Sequence, residues 1–214
     1  MSMLSNIRRT YSRKGIDGIW RKAIRFIRKL LWQRRDLLVA KRRLDIPMIK
    51  YRKLLDVTFR PIPPEDTHLI GYVPESRKRR LWSNYFRNGD LCVAGMHDGR
   101  AVFHVFATFR PFRDTEIRYT VPVEPHQAYQ FEGAADLAFR GKGVAVTIME
   151  PFWNLMREHG KTETVAMFDL ANKPACKFHK RLSFEPFIVV RSYILLRFFT
   201  FTSVRAWNPD ADHY

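Results

Sequence analysis

The stretch LAFRGKGVAVTIM, from Leu137 to Met149, places two glycines and two cations directly before an apolar run with helical spacing. Glycines at positions 141 and 143 let the backbone turn its N–H groups outward. A helix that begins after such a loop adds the positive end of its dipole, and together these groups bind phosphate. The pattern alone also fits an ordinary strand-to-helix turn. It lacks the Lys-Ser/Thr ending of a P-loop and the acidic residue of a Rossmann fingerprint.

A second stretch, NKPACKFHKRLSF from Asn172 to Phe184, follows in the sequence. The two stretches together resemble the cofactor motifs of the GNAT N-acetyltransferase superfamily. That superfamily has a pyrophosphate loop of the form Arg/Gln-x-x-Gly-x-Gly/Ala, and a later helix that opens with Asn and ends with basic-Leu-Gly-Phe. The resemblance extends over about residues 54–200 and implies an α/β GNAT-like fold with a mixed sheet.

The resemblance also implies an acyl-coenzyme A, most simply acetyl-CoA, as acyl donor. Backbone N–H groups from Lys142 to Ala145 would hold its pyrophosphate. Its pantetheine arm would lie in a splay between the strand ending near Ala135 and the strand near 165–168, where strand amides would polarise the thioester carbonyl. The expected cofactor-binding residues are Arg140, Gly141, Lys142, Gly143, Val144, Ala145, Asn172 and Phe178.

Two residues are expected to carry proton transfer. Glu132 lies on the predicted central strand, where apolar neighbours would raise its pKa towards that of a useful general base. His179 stands where the family often has a Tyr that protonates the leaving thiolate. It is mostly neutral at pH 7 but can still donate one N–H. The residue-based alternatives are a salt-bridged Glu132, a surface His179 and an Asn172 that only caps its helix. Ser183 and Leu137 replace the Gly and Pro that are usual in the family.

The rest of the chain predicts alternating strands and helices. A strand over 54–62 precedes one or two helices, and two runs around His97-Asp98-Gly99-Arg100 predict a hairpin. A strand then leads into the loop, and Val144–His159 predicts a helix that ends at Gly160. A strand over 162–170, the short helix that begins at Asn172 and one or two closing strands complete the domain, assigned to 54–205. Residues 206–214 are assigned to a tail.

The positive charge is concentrated at the start of the chain. The formal net charge is +17, and residues 1–53 contribute +14 of it through seventeen Lys or Arg and three Asp. Apolar residues at helical spacing (Ile16, Trp20, Ile24, Ile27, Leu31 and Leu38) predict a basic amphipathic helical arm over 1–53. Such a helix is typical of contact with an acidic membrane, here through residues 16–43, but it also fits packing on the protein's own core or nucleic-acid binding.

Other features narrow the class of protein. Two distant cysteines give neither a metal-ligand spacing nor a disulfide framework, so we expect no metal site and a reducing, cytoplasmic compartment with peripheral membrane contact. The histidines are scattered without ligand spacing. The predicted function is direct acyl transfer to a primary amine, such as an amino sugar or a membrane-associated glycan precursor. The alternatives are an inactive CoA-binding or membrane-attached scaffold, and an acyltransferase for tRNA- or protein-linked amines.

Overall fold

The computed structural model describes residues 32–51, 54–196, 199–210 and 212. The strands in this part of the chain are β1 Trp32–Arg43, β2 Thr58–Pro61, β3 Leu91–His97, β4 Arg100–Thr108, β5 Phe112–Asp114, β6 Tyr119–Val121, β7 Gln127–Ala135, β8 Glu163–Asp169, β9 Glu185–Leu195 and β10 Phe199–Ala206. The α-helices are α1 Glu75–Arg77, α2 Ser83–Arg87, α3 Val144–Glu158 and α4 Lys173–Arg181. A π-helical turn, Lys78–Trp82, joins α1 to α2, and two 3-10 helices lie at Pro64–Leu69 and Leu137–Phe139.

Eight of the described strands form one mixed sheet in the order β10-β9-β1-β8-β7-β4-β3-β2, and β5 pairs with β6 separately. Within the main sheet, β7 and β8 pair in parallel and the other described pairs are antiparallel. The long crossover that a parallel pair requires is supplied by α3, which packs on the sheet. The predicted α/β class with a mixed sheet is confirmed.

Each face of the sheet buries its own apolar cluster. On one face α3 and α4 cover β-strand side chains such as Val93, Val105 and Ala166. On the other face Trp82, Ile70 and their neighbours from the α1–α2 region cover Phe106, Phe131 and Val190. Burial on both faces explains why these strands read as almost continuous apolar runs rather than as strict alternation.

Several elements lie where the sequence predicts them. The hairpin of β3 and β4 turns at Asp98 and Gly99, which both have positive φ (49° and 73°), as the Asp-Gly signal requires. Helix α3 spans Val144–Glu158, and Gly160 follows it with φ 73°. The predicted strand before the loop corresponds to β7, and the closing strands to β9 and β10.

The helix predicted in the basic arm is wrong for residues 32–43. They form β1, which lies between β8 and β9 in the sheet and buries the run from Leu37 to Ala40. The buried guanidinium of Arg42 donates to the carbonyls of Leu182 and Ile46 and stacks on the ring of Trp153 at 4.0 Å. The N-terminal part of the predicted helix, residues 16–31, lies outside the described residues.

Candidate active site

The loop between β7 and α3 has the backbone conformation that its glycines predict. Gly141 and Gly143 have φ of 78° and 76°, in the left-handed region that a residue with a Cβ rarely adopts. Gly143 directly precedes α3, and the first helical bond recorded there runs from Thr147 N–H to the Gly143 carbonyl at 3.1 Å. Every helix leaves its first N–H groups without intrahelical acceptors. The start of α3 therefore presents backbone donors at the positive end of a 15-residue helix.

Within the described residues, no acceptor is recorded for the N–H groups of Gly143, Val144, Ala145 and Val146. The amide of Lys142 differs, because it donates to the Phe139 carbonyl at 3.3 Å. The set of donors available at the loop is thus shifted by one residue from the set expected in the sequence, which began at Lys142. The loop fits a phosphate group, because several amides converge there with no acceptor of their own.

Positive side chains lie in and next to this loop. The Arg100 guanidinium is 5.2 Å and the Lys142 ammonium 4.9 Å from the centroid of the Phe139 ring. Arg140 Nε is 3.4 Å from the Ala135 carbonyl, and the residue is exposed. The loop therefore combines fixed amide dipoles with positive side chains, the combination that attracts an anionic ligand.

Strands β7 and β8 diverge directly upstream of this loop. Their parallel pairing runs from Gln127 with Glu163 to Gln130 with Ala166 and stops there, although β7 continues to Ala135 and β8 to Asp169. The splay predicted between the two strands is thus present in the fold. Backbone groups of β7 that face β8 beyond Gln130 have no strand partner among the described residues, so an extended ligand arm could pair with them.

Glu132 occupies a strained point in this unpaired part of β7. Its φ is 55°, and the register of β4 against β7 shifts beside it, which marks a β-bulge. Arg77 binds both carboxylate oxygens, through Nε at 2.7 Å and Nη2 at 2.9 Å. The alternative of a salt-bridged Glu132 is therefore what the structure contains.

A cavity of about 400 Å³ opens beside the bulge. It is lined by residues 132–137 and Arg140, and by Tyr72, Pro74, Arg77 and His104 from earlier elements. The lining includes two acidic residues, Glu132 and Asp136. Arg140, the last lining residue along the chain, directly precedes the loop glycines in sequence.

His179 has a protonation state that does not suit the role of an acid. Its Nδ1 lies 2.9 Å from the Ala175 carbonyl, which can only accept, so the proton of the neutral ring is on Nδ1 and Nε2 is an acceptor. Burial lowers the pKa of His179 to about 4, and the ring stacks on Phe168 at 4.2 Å. The sequence-based expectation that the neutral ring donates an N–H to a leaving thiolate loses its physical basis, because that N–H is already used.

Other residues of the second motif have local roles. The Asn172 side chain accepts from the Ala175 N–H at 3.2 Å and caps α4. Phe178 is half-buried and packs on the core that α4 covers. Ser183 has φ 58°, so it adopts at the end of α4 the left-handed conformation that glycine takes more easily.

The fold brings some of the predicted site residues together and keeps others apart. Glu132 and Arg140 line one cavity, which is next to the loop glycines. Asn172, Phe178 and His179 lie on α4 and line no part of that cavity. The sequence analysis missed Tyr72 and Arg77. The one available signal was His104, a polar residue inside the apolar run AVFHVFATF.

Solved structures with a similar fold include three with TM-scores above 0.5. A functionally unknown conserved protein from Staphylococcus epidermidis has 11% identity and a TM-score of 0.54, over 79% of this chain and 64% of that chain. A Drosophila protein has 9% identity and a TM-score of 0.52, over 84% and 58%. A GCN5-related glucosamine N-acetyltransferase region of a fungal multi-domain GH3 β-N-acetylglucosaminidase has 16% identity and a TM-score of 0.52, over 80% and 22%.

This chain thus spans less than two thirds of each of these three chains. No protein-family model matches the sequence, and neither does any curated protein. At these identities the similarity shows the fold, and the fold is the one that the loop and the α4 motif predicted from the sequence.

Proposed function

We propose that this chain, which has the fold of the GNAT superfamily, is an acyl-CoA-dependent N-acyltransferase. It transfers an acyl group, most simply acetyl, directly to a primary amine. The observation that carries the proposal is the set of amides from Gly143 to Val146, which lack acceptors in the described chain and start a helix beside a splayed pair of strands. Such amides bind a diphosphate, and the splay accommodates an extended arm.

Each part of the site has one task in this proposal. The loop amides, with Arg140 and Lys142, bind the pyrophosphate of the acyl donor. The unpaired edge of β7 binds the arm and orients the thioester, which supplies an activated acyl carbon. The amine occupies the cavity beside Glu132, whose carboxylate is the acceptor of the amine proton in this proposal.

The acceptor we propose is small and carries a primary amine, as an amino sugar does. The cavity volume of about 400 Å³ suits a small molecule, and the carboxylates of Glu132 and Asp136 in its lining can accept hydrogen bonds from an amino group. The amine nitrogen forms the new amide bond while the thioester C–S bond breaks. The nitrogen gives up one proton, and the sulfur leaves as a thiol.

Two substitutions at Gly143 test the diphosphate site. Gly143→Asp places a carboxylate where we expect the pyrophosphate, but an acidic group at a helix N-terminus favours the helix itself. Gly143→Asn is the matched neutral control. We expect the Asp variant to bind acetyl-CoA at least about tenfold more weakly than the Asn variant by calorimetry, with similar thermal unfolding of the two. Equal affinities of the two variants for acetyl-CoA would contradict a diphosphate site at this loop.

A non-catalytic CoA-binding role is the second candidate, and His179 is the observation that favours it. The ring cannot act as the acid expected from the motif, because its only N–H is bonded to Ala175. Release of free thiol from acetyl-CoA in a panel of amines distinguishes the two functions. Acyl-donor binding without any amine-dependent thiol release would favour the scaffold.

We further propose that the enzyme contacts an acidic membrane surface. Residues 1–31 carry nine Lys or Arg and one Asp, and they lead directly into Trp32. Trp32, Phe199 and Phe201 are exposed at the end of the β1–β9–β10 part of the sheet, and their registers place them on one face. Aromatic side chains beside a basic segment are typical of peripheral contact with anionic lipid. No helix of the described residues is long and apolar enough to cross a bilayer.

A further inference from the structure

Tyr72, which is half-buried, and His104, which is buried, form a hydrogen-bonded pair in the wall of the cavity. The Tyr72 hydroxyl lies 2.7 Å from His104 Nδ1 and 3.1 Å from the Ala134 carbonyl oxygen. His104 is 1% exposed, and the ring of Trp82 packs on it with centroids 4.9 Å apart. Neither Tyr72 nor His104 has a role in the proposed transfer as described above.

The hydrogen-bond directions in this pair follow from the chemistry of the groups. A carbonyl only accepts, so the Tyr72 hydroxyl donates its single proton to Ala134. The Tyr72 oxygen then accepts from His104 Nδ1–H, and Nε2 of the neutral ring becomes an acceptor. Burial lowers the pKa of His104 to about 4 and raises the pKa of Tyr72, so both stay neutral near pH 7.

The Ala134 carbonyl belongs to the same peptide unit as the Ala135 N–H. In a trans peptide these two groups point in opposite directions. The Asp136 N–H donates to the Val102 carbonyl of β4 at 3.0 Å, and successive residues of a strand alternate their backbone groups between its two edges. The Ala135 N–H therefore points to the β8 side of β7, into the splay, where β8 no longer pairs with β7.

We propose that Tyr72, supported by His104, is a positioning residue that orients the Ala134–Ala135 peptide so that its N–H binds the acyl carbonyl in the splay. The bond to the Ala134 oxygen fixes the plane of this peptide, in a stretch that has lost its neighbour on one side. A hydrogen bond accepted at the oxygen also strengthens the N–H as a donor, because linked hydrogen bonds polarise one another. The inference rests on the proposed acyl-CoA site.

His104 has an orphan nitrogen that this role explains. Within the described chain no partner is recorded for Nε2, and the atom is buried. An unsatisfied buried polar atom is destabilising, so an apolar side chain would pack here more favourably. The hydrogen bond that His104 makes is through Nδ1–H, and it fixes the Tyr72 hydroxyl towards Ala134.

Tyr72→Phe removes the hydroxyl and leaves the ring in place. We compare the affinities of free CoA and of a non-reactive acetyl-CoA analogue in which a methylene replaces the thioester sulfur, both by calorimetry. The analogue carries the carbonyl and free CoA does not. We expect the variant to bind the analogue about fivefold more weakly, with CoA affinity unchanged, because one oriented hydrogen bond is lost. In the ligand-free protein, the Ala135 amide proton resonance should also move upfield.

Tyr85→Phe is the matched control, because it removes a hydroxyl from the neighbouring helix α2, for which no hydrogen bond is recorded in the described chain. It should change neither affinity. A Tyr72→Phe variant that binds both ligands as the wild type does, or weakens both equally, would overturn the positioning role. A wild-type protein that binds neither ligand would instead refute the proposed function, so the two failures are distinguishable.

Discussion

A histidine that donates Nδ1–H to a backbone carbonyl has one nitrogen left for chemistry, and in His179 that nitrogen is an acceptor. Phe168 and Phe184 pack around the ring, so protonation would place a charge among aromatic side chains. The position in the motif is kept, but the local environment makes the residue a neutral packing element. The lowered pKa of His179 therefore affects the stability of the fold and does not support acid catalysis.

The pH dependence of stability tests this interpretation of His179. Its pKa is about 4 in the folded protein, below the ordinary value of 6.5, so the unfolded chain binds the extra proton first as the pH falls. The stabilisation is fully present above about pH 6.5 and decreases towards about pH 4. The free energy of unfolding, measured by urea denaturation at several pH values in this range, should depend less steeply on pH in His179→Phe than in the wild type. The difference in this pH dependence should be about 1.4 kcal/mol per pH unit.

The control for this measurement is His126→Ala, since His126 is exposed. His104 has its pKa lowered in the same direction and is retained in both variants, so it contributes equally to their slopes. An unchanged slope in His179→Phe would show that His179 has the same pKa in the folded and unfolded states, which would contradict a buried neutral ring.

Single residues of the site differ in how far the sequence could predict them. The loop glycines are predictable because a positive φ is a local requirement that glycine meets. Arg77 is not, because it meets Glu132 across 55 residues of sequence, and no local pattern encodes that contact. The bulge at Glu132 has the same origin, because it depends on the register of β7 against β4.

At the scale of elements, β1 shows where periodicity misleads. Leu37, Leu38, Val39 and Ala40 are all buried, because β1 lies between β8 and β9 with both faces covered. A short apolar run of this kind is compatible with a buried strand or with a helix, and the helical spacing of residues 16–31 favoured the helix. The helix predicted from residues 16–31 was extended too far along the chain. Residues 32–43 form a strand because they pair with β8 and β9 in the sheet.

Truncation of the chain tests the role of β1. Deleting residues 1–31 leaves every described sheet contact in place, and we expect cooperative thermal unfolding close to that of the full chain. Deleting residues 1–45 removes β1 from between β8 and β9, which leaves two unpaired strand edges. It also exposes the core side chains that Leu38 and Val39 cover in the full chain. We expect this shorter chain to lose cooperative unfolding and to aggregate.

The division of the chain after residue 53 predicted the opposite result, a folded domain without residues 1–45. Circular dichroism and size-exclusion chromatography of the two truncated chains decide between the predictions. A monomeric and cooperative 46–214 chain would mean that β1 adds to a sheet that is stable without it.

At the scale of the whole molecule, the basic N-terminal sequence leads into a strand at the end of which aromatic side chains are exposed. The net charge of +17 lies mainly in residues 1–53. The strand that follows residue 31 begins at Trp32, whose ring contacts Tyr193 at 5.3 Å and is 50% exposed. Phe199 and Phe201 are 56% and 63% exposed on β10, the edge strand next to β9. Exposed aromatic side chains and a basic segment that is adjacent in sequence are the two components that the proposed contact with an acidic bilayer requires.

Vesicle-binding experiments separate the contribution of the basic segment from that of the exposed aromatic side chains. We expect the full chain to co-sediment with phosphatidylcholine vesicles that contain phosphatidylglycerol but not with phosphatidylcholine alone, and binding to weaken as salt is raised. Phe199→Ser with Phe201→Ser should reduce binding about tenfold or more at low salt, because burial of two aromatic rings contributes several kcal/mol when complete. Thr200→Ser with Thr202→Ser, on the opposite face of β10, is the matched control.

Equal binding to neutral and acidic vesicles would show that charge does not contribute to binding. Unchanged binding by the Phe variant would leave the basic segment alone responsible, and a salt-dependent complex with tRNA that acidic vesicles do not compete for would identify nucleic acid as the partner.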